Sequence, residues 1–213
     1  CIVLPTGSGK SHVVAAICQD SIKRWPDTRI LMATHVKELI EQNAEKMLLH
    51  WPDAPLGIYS AGIGRKESHC KITFAGIQSI RKKAAEIGHI DLMIVDEAHL
   101  ISHNTDTSYR KLIDALKIIN PALRVVGLTA TPYRLGHGML TDDEGIFHDL
   151  IEPTSIEALV EDKYLAPLRS KLTGTQLSVQ GVHRRGGEFI EKELQAAVNK
   201  SHTNAEVVRE VIK

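Results

Sequence analysis

Cysteine is scarce in this chain: Cys1, Cys18 and Cys70 are the only three in 213 residues, far apart and with no Cys-x-x-Cys unit. Such spacing argues against a disulfide framework and a thiolate zinc site, and it fits a reducing cytoplasm. An excess of charge is lacking as well, because Lys plus Arg equals Asp plus Glu at 26 each. The chain therefore has no global positive field to draw in a polyanion, and nucleic-acid binding has to use local contacts. No apolar run approaches a membrane span and no charged-then-apolar leader precedes the first strand, so no membrane partner is expected. An initiating methionine is also missing; the sequence opens inside an apolar run, as a fragment would.

What is present suits one ordinary α/β domain with some extra material, at 43% hydrophobic and 24% charged residues. Ile2 to Leu4 reads as a strand running into Pro5-Thr6-Gly7-Ser8-Gly9-Lys10-Ser11, a phosphate-binding loop. Gly7 and Gly9 permit the tight turn and let backbone N–H groups wrap an anion. Lys10 is placed to reach the β and γ phosphates of a nucleotide, and the Ser11 hydroxyl to ligate Mg²⁺. A helix from about Lys10 to Arg24 aims its positive end at the same anion. Leu4 stands where the strict form of the loop has glycine, so the loop needs a second element beside it.

That element is Leu92-Met93-Ile94-Val95-Asp96-Glu97-Ala98-His99. Four apolar residues read as a buried parallel strand, and ligands in open α/β sheets lie beyond the strands' carboxyl ends. Asp96 is thus expected to hold Mg²⁺, and Glu97 to polarise the water that attacks the γ phosphate.

Elsewhere the chain alternates between the two periods. Strands are expected at residues 29–33, 71–75 and 124–129, with a shorter apolar piece at 56–59. Helices are expected at 36–48, 78–87 and 108–119, the first of these closed by Trp51-Pro52-Asp53 and the last by Asn120-Pro121. This rhythm predicts a mostly parallel sheet covered by helices on both faces, with right-handed crossovers. Beyond Pro132 the pattern changes. A helix-like stretch at 155–162, alternating apolar character at 172–182, a turn at 184–187 and a polar helix at 188–199 follow. The expected domains are 1–152, a connector over 153–200, and the start of a further domain at 201–213.

Several of these segments carry a family resemblance. Ala33-Thr34-His35-Val36-Lys37-Glu38-Leu39 resembles motif Ia of superfamily 2 helicases, and Thr73-Phe74-Ala75 with Gln78-Ser79 resembles their next strand-end motif. Asp96-Glu97-Ala98-His99 resembles motif II in its DEAH spelling, and Thr129-Ala130-Thr131-Pro132 resembles motif III. Order and spacing agree over roughly the first 135 residues. Within the superfamily, His35-Val36-Lys37-Glu38-Leu39 and Thr131-Pro132-Tyr133-Arg134 are most similar to RadD (YejH-like) DNA-repair helicases, and the type III restriction enzyme motor subunits are similar too.

The resemblance implies a RecA-like P-loop NTPase domain that uses ATP and Mg²⁺ to move on or unwind DNA, RNA being the other possible strand. It implies that Thr129 and Thr131, with His99, couple the nucleotide to strand binding, and that Thr34, His35, Ala75 and Gln78 touch the nucleic-acid backbone. Such contacts give position without sequence choice. It also implies a second RecA-like domain of the same parent chain. That domain's arginine finger, absent from this sequence along with an adenine-reading glutamine segment, is worth about 10³ to 10⁵ in rate. Low turnover is accordingly expected of the isolated chain. A nucleotide-gated DNA scaffold and, last, a small P-loop kinase are the competing readings.

Overall fold

The structure, a computed structural model, describes residues 1–101, 108–134, 138–142, 145–167, 178–185 and 188–212. Two compact units result, Cys1–Leu165 and Ala166–Lys213.

In the first unit, strand and helix alternate as β1 (Ile2–Val3), α1 (Lys10–Arg24), β2 (Ile30–Thr34), α2 (Lys37–His50) and β3 (Leu56–Ser60). A short edge strand β4 (Arg65–Lys66) is followed by β5 (Ile72–Gly76), α3 (Ile77–Ile80), α4 (Ala84–Ile87) and β6 (Leu92–Asp96). Then come α5 (Ser108–Ile119), β7 (Arg124–Thr129), the small pair β8 (Tyr133–Arg134) and β9 (Gly138–Met139), and α6 (Ile156–Glu161). Among the described residues the main sheet has seven strands in the order β1-β7-β6-β2-β5-β3-β4. All neighbours pair in parallel except β3 with β4. Parallel pairing puts Val3, Thr34, Ser60, Gly76, Asp96 and Thr129 at one edge, where the loops that follow them gather.

The strands are apolar on both sides because helices cover both faces. Side chains alternate across a strand, so neighbouring residues join different cores. Ile30 and Met32 of β2, Phe74 of β5, Ile94 of β6 and Leu128 of β7 pack with Val14 and Cys18 of α1 and Ile40 and Met47 of α2. Leu31, Ala33, Met93 and Val95 face the other way, onto Ile77, Ile80, Ile87 and the buried stripe Tyr109, Leu112, Ile113 and Leu116 of α5.

Helices α1 and α2 end in the same way. Each runs into a Trp-Pro pair, and a residue before proline is pushed out of the helical region. Trp25 (φ −132°, ψ 87°) and Trp51 (φ −138°, ψ 84°) leave it almost identically, and their N–H groups close the last turns on Ser21 O and Met47 O.

Where the periodicity predicts one helix over 78–87, the structure has two short ones, α3 and α4, broken at Arg81 to Lys83. So short a segment has little helical stability of its own, and packing decides its path. Ile80 and Ile87 are each buried in the core, while the Tyr59 hydroxyl donates to Glu86 Oε1 at 2.5 Å and Lys83 pairs with Glu86 at 3.0 Å. Those contacts hold the second turn where it lies.

The second unit contains the two-residue strands β10 (Arg184–Arg185) and β11 (Glu188–Phe189), paired antiparallel, then α7 (Glu191–Val198) and α8 (Ser201–Ile212). His183 N–H and its ring both bond Glu193 Oε2, at 2.7 and 2.9 Å, tying the hairpin to the start of α7. Of the alternating stretch expected at 172–182, residues 172–177 lie outside the described residues, as do 186 and 187 of the expected turn. No helix among the described residues is long and apolar enough to cross a membrane.

Gly127 of β7 has no room for a side chain: a Cβ there would lie 2.5 Å from Phe147 Cζ and 2.7 Å from Ala98 Cβ. The Gly127→Ala variant is predicted to lose about 1–3 kcal/mol of stability, the usual penalty of overpacking. A lower urea midpoint at unchanged slope is the expected reading. An unmoved midpoint contradicts the tight packing of β7 on Ala98 and Phe147.

Candidate functional site

After β1 the chain turns through Pro5 to Gly9 and enters α1. Gly7 and Gly9 take φ of 84° and 85°, the left-handed region that glycine reaches without penalty. A Cβ on Gly9 would stand 3.3 Å from the His12 ring, and one on Gly7 would stand 2.9 Å from Leu165. Glycine thus keeps a concave backbone open at the helix start. No side chain caps the first turn of α1, so its N–H groups and the positive end of the helix face that concavity. Ser8 Oγ is buried there without a hydrogen-bond partner, which a phosphate oxygen can supply.

Alternation along β6 decides where Asp96 goes. Ile94 faces α1 and α2, so Asp96, two residues on, faces the same way and meets the phosphate loop. It is 8% exposed. Burial, and then the adjacent Glu97 charge, push its carboxyl above the ordinary value, while a hydrogen bond from Asn43 and the Lys10 charge oppose the shift.

Asn43 joins the two halves. Its Nδ2 donates to Asp96 Oδ2 at 3.2 Å, and its Oδ1 accepts from Ser11 Oγ at 2.7 Å. Glu97 N–H donates to Asp96 Oδ1 at 3.1 Å. A hydroxyl and a carboxylate in one small polar cluster form an oxygen donor set suited to a hard divalent ion such as Mg²⁺.

Glu97 itself adopts φ 53°, ψ 54°, a left-handed conformation costing roughly 1–2 kcal/mol in a non-glycine residue. From that turn its two oxygens part. Oε1 meets Lys10 Nζ at 3.3 Å and Oε2 lies 3.4 Å from His99 Nδ1. A single 3-10 turn, Ala98–Leu100, follows. His99 Nδ1 also lies 2.9 Å from Thr129 Oγ1. The Thr129 hydroxyl donates to Thr131 O at 2.9 Å and accepts from Thr131 N–H at 3.1 Å. Its one proton being so used, Nδ1 of His99 must carry the hydrogen toward Thr129 and Glu97.

The residues expected at the nucleic-acid rim divide by exposure. His35 and Gln78 are exposed at the edge where the strands end, whereas Thr34 and Ala75 are 2% and 0% exposed. Only the first two offer side chains to an outside strand; Thr34 and Ala75 are wall. His35 Nδ1 lies 3.1 Å from the hydroxyl of Tyr109, a buried residue of α5 whose pKa is pushed up by burial and, second, by Asp96. A cleft of about 710 Å³, bordered by Trp25, Asp91 and Arg124, opens where strands β6 and β7 begin, at the far edge of the sheet, and shares no residue with this cluster.

Asn43 was not among the residues expected from sequence. Its signal is there: Ile40, Asn43, Ala44 and Met47 form one buried helical stripe, and Asn43 is the polar member of it. A buried amide on an apolar face requires partners.

A mostly parallel sheet with a glycine loop after its first strand and paired carboxylates at the tip of β6, one strand beyond β7, fits one class: a RecA-like domain of the superfamily 2 helicase and restriction-motor type. Residues 1–134 match the family described as type III restriction enzyme, res subunit, and the chain belongs to that family. Among curated relatives, the ATP-dependent DNA helicase mph1 of Sclerotinia sclerotiorum is 28% identical over 173 residues, covering 76% of this chain and 13% of the relative. The type I restriction enzyme EcoAI endonuclease subunit of Escherichia coli is 24% identical over 185 residues, covering 84% of this chain and 22% of that protein. The chain thus spans less than a quarter of either relative. The UvsW helicase from bacteriophage T4 shares the fold at TM-score 0.58 and 19% identity, over 71% of this chain and 53% of that one. The Pyrococcus furiosus Hef helicase domain does so at 0.55 and 24%, over 72% and 35%.

The Thr129 hydroxyl serves three partners at 0% exposure. Thr129→Val keeps its shape, leaves Thr131 N–H without its acceptor and leaves His99 Nδ1 with Glu97 alone. A loss of about 1–3 kcal/mol is predicted, recovered in Thr129→Ser. Equal urea midpoints for the Val and Ser variants would contradict the assigned network.

Proposed function

We propose that the full protein is an ATP-dependent motor that moves on or unwinds DNA in repair or restriction. In this reading residues 1–152 are its first RecA-like domain, 153–200 a connector and 201–213 the beginning of a second domain. One observation carries the proposal: a single amide, Asn43, spans Ser11 of the phosphate loop and Asp96 of β6, while Lys10 and Glu97 of the same two elements stand 3.3 Å apart. The printed functions of the relatives, DNA helicase and restriction enzyme, support DNA as the strand.

The roles follow from the chemistry of each group. Backbone N–H groups of Thr6 to Ser11 that are free to donate, with the start of α1, receive the nucleotide's phosphates, Pro5 shaping the loop before them. Lys10 exchanges its Glu97 partner for phosphate oxygens. Ser11 and Asp96 hold Mg²⁺, which when bound screens the phosphate charge. Glu97 takes the proton of the attacking water, its turn holding one oxygen beside Lys10 and the other toward His99. His99 shares one N–H between Glu97 and Thr129, so a change at Glu97 reaches Thr129 and Thr131. His35 and Gln78 contact the strand's backbone by their side chains, and Thr34 and Ala75 contribute main chain beside them. A second RecA-like domain of the parent chain completes the nucleotide site.

The test is ATPase measurement on the full-length protein with DNA and with RNA side by side. Stimulation by DNA is expected. Stimulation by RNA alone would overturn the assigned strand, and the absence of ATP turnover would overturn the motor. In the same protein, Lys10→Ala is predicted to weaken nucleotide binding by about tenfold or more, matching a lost charge-assisted contact of about 1.5–3 kcal/mol. Glu97→Gln should keep binding and lower turnover by about 10²- to 10⁴-fold. Turnover retained after Glu97→Gln removes that residue's role.

A further inference from the structure

Asn43, whose amide reaches both Ser11 and Asp96, has been given no part in the chemistry. It is 7% exposed, on the inner face of α2 between Ile40 and Met47, where an apolar residue would fit the stripe. The amide's orientation is dictated by its neighbours. A carboxylate only accepts, so Asp96 Oδ2 takes the NH₂ side, and the carbonyl Oδ1 is left for the Ser11 proton. Both ends of the side chain are therefore spent on the two groups that offer oxygen to a divalent ion.

We infer that Asn43 is a positioning residue for the metal: it turns the Ser11 hydroxyl and the Asp96 carboxylate into a preformed pair of oxygen ligands. A serine hydroxyl has one proton and two lone pairs. With the proton directed to Asn43 Oδ1, the lone pairs point away from α2. Unheld, the hydroxyl rotates, and some of its orientations turn the proton toward the cation. On the other side, Asp96 Oδ2 is held by Asn43 and Oδ1 by the Glu97 N–H, so the carboxylate plane is fixed from two directions. Partners of this kind orient metal ligands without touching the metal, and removing them costs about 10- to 100-fold in metal affinity. Asn43 also sits on a helix whose first residue, Lys37, follows His35 by only two positions, so the ligands are held by a rigid element rather than a loop.

This inference rests on the reading of Ser11 and Asp96 as the Mg²⁺ ligands, and the experiment separates the two. A fluorescent ADP analogue is titrated into the full-length protein with Mg²⁺ and with chelator, for the wild type, Asn43→Ala, Asn43→Leu, Asn120→Ala and Lys10→Ala. The Leu variant keeps the stripe of α2 filled where Ala opens a void, and the variant that retains the wild-type melting transition is the one compared. Asn120 is a buried amide that accepts from Ala122 N–H in the turn after α5 and donates to Ile90 O, beside His89 and Asp91, in the segment before β6; none of these contacts involves Ser11 or Asp96, and its variant controls for lost stability.

The expected result is a chelator-state affinity close to wild type for Asn43→Ala or Asn43→Leu. The Mg²⁺-dependent gain in affinity should shrink by about tenfold or more, and half-maximal ATPase should need correspondingly more Mg²⁺. Asn120→Ala should keep the full gain. A wild-type Mg²⁺ gain in both Asn43 variants overturns the inference while leaving the nucleotide site intact. No Mg²⁺ gain in the wild type, or wild-type binding by Lys10→Ala, overturns the nucleotide-site reading itself.

Discussion

A carboxylate at the tip of a buried parallel strand has to be satisfied by the protein around it, and Asp96 is that carboxylate. Eight per cent exposed and pushed toward its neutral form by burial, it draws a hydrogen bond from Asn43, another from the Glu97 backbone and the field of Lys10. Each of those groups belongs to a different piece of chain: α2, the turn after β6, and the start of α1. Satisfying one buried charge thereby fixes three elements relative to each other, and the concavity between them is the proposed seat of an anion with its own cation.

The sheet divides the cluster into two sides. Asp96, Ser11 and Asn43 lie on the face covered by α1 and α2; Thr129, one residue beyond Leu128, turns to the face of Ala98 and α5. Glu97 reaches both because its backbone leaves the strand in the left-handed conformation. One oxygen meets Lys10 at 3.3 Å and the other approaches His99 at 3.4 Å. A helical or extended Glu97 would aim elsewhere. Strain of this kind persists only where surrounding contacts over-determine it, and the 3-10 turn and Glu97's two side-chain partners do so here.

Much of this was legible in the sequence because β6 and the phosphate loop obey strong local rules. A four-residue apolar run ending in Asp-Glu reads as a buried strand with its acids at the open edge, as β6 is, and Gly7 and Gly9 stand where φ is positive. Helix α1 ended at Arg24 as expected, and Trp51-Pro52 closed α2. Less local properties were not legible. The break between α3 and α4 follows from Tyr59 holding Glu86, a contact between residues 27 apart in sequence. Burial of Thr34 and Ala75 depends on which strands flank β2 and β5. Asn43 was hidden for a different reason: in a helix a lone polar residue on the apolar stripe reads as a minor defect until its partners, 32 and 53 residues away, are seen.

The central claim is that the opening loop and the tip of β6 share one metal-bound triphosphate. A crystal structure of the full-length protein with Mg²⁺ and a non-hydrolysable ATP analogue tests it most directly. The ion is expected at about 2.0–2.1 Å from Ser11 Oγ, with Asp96 reaching it directly or through one bound water, and the phosphates against Gly7 to Lys10. Metal and phosphates bound away from Ser11, or Asp96 still turned from them, would contradict it.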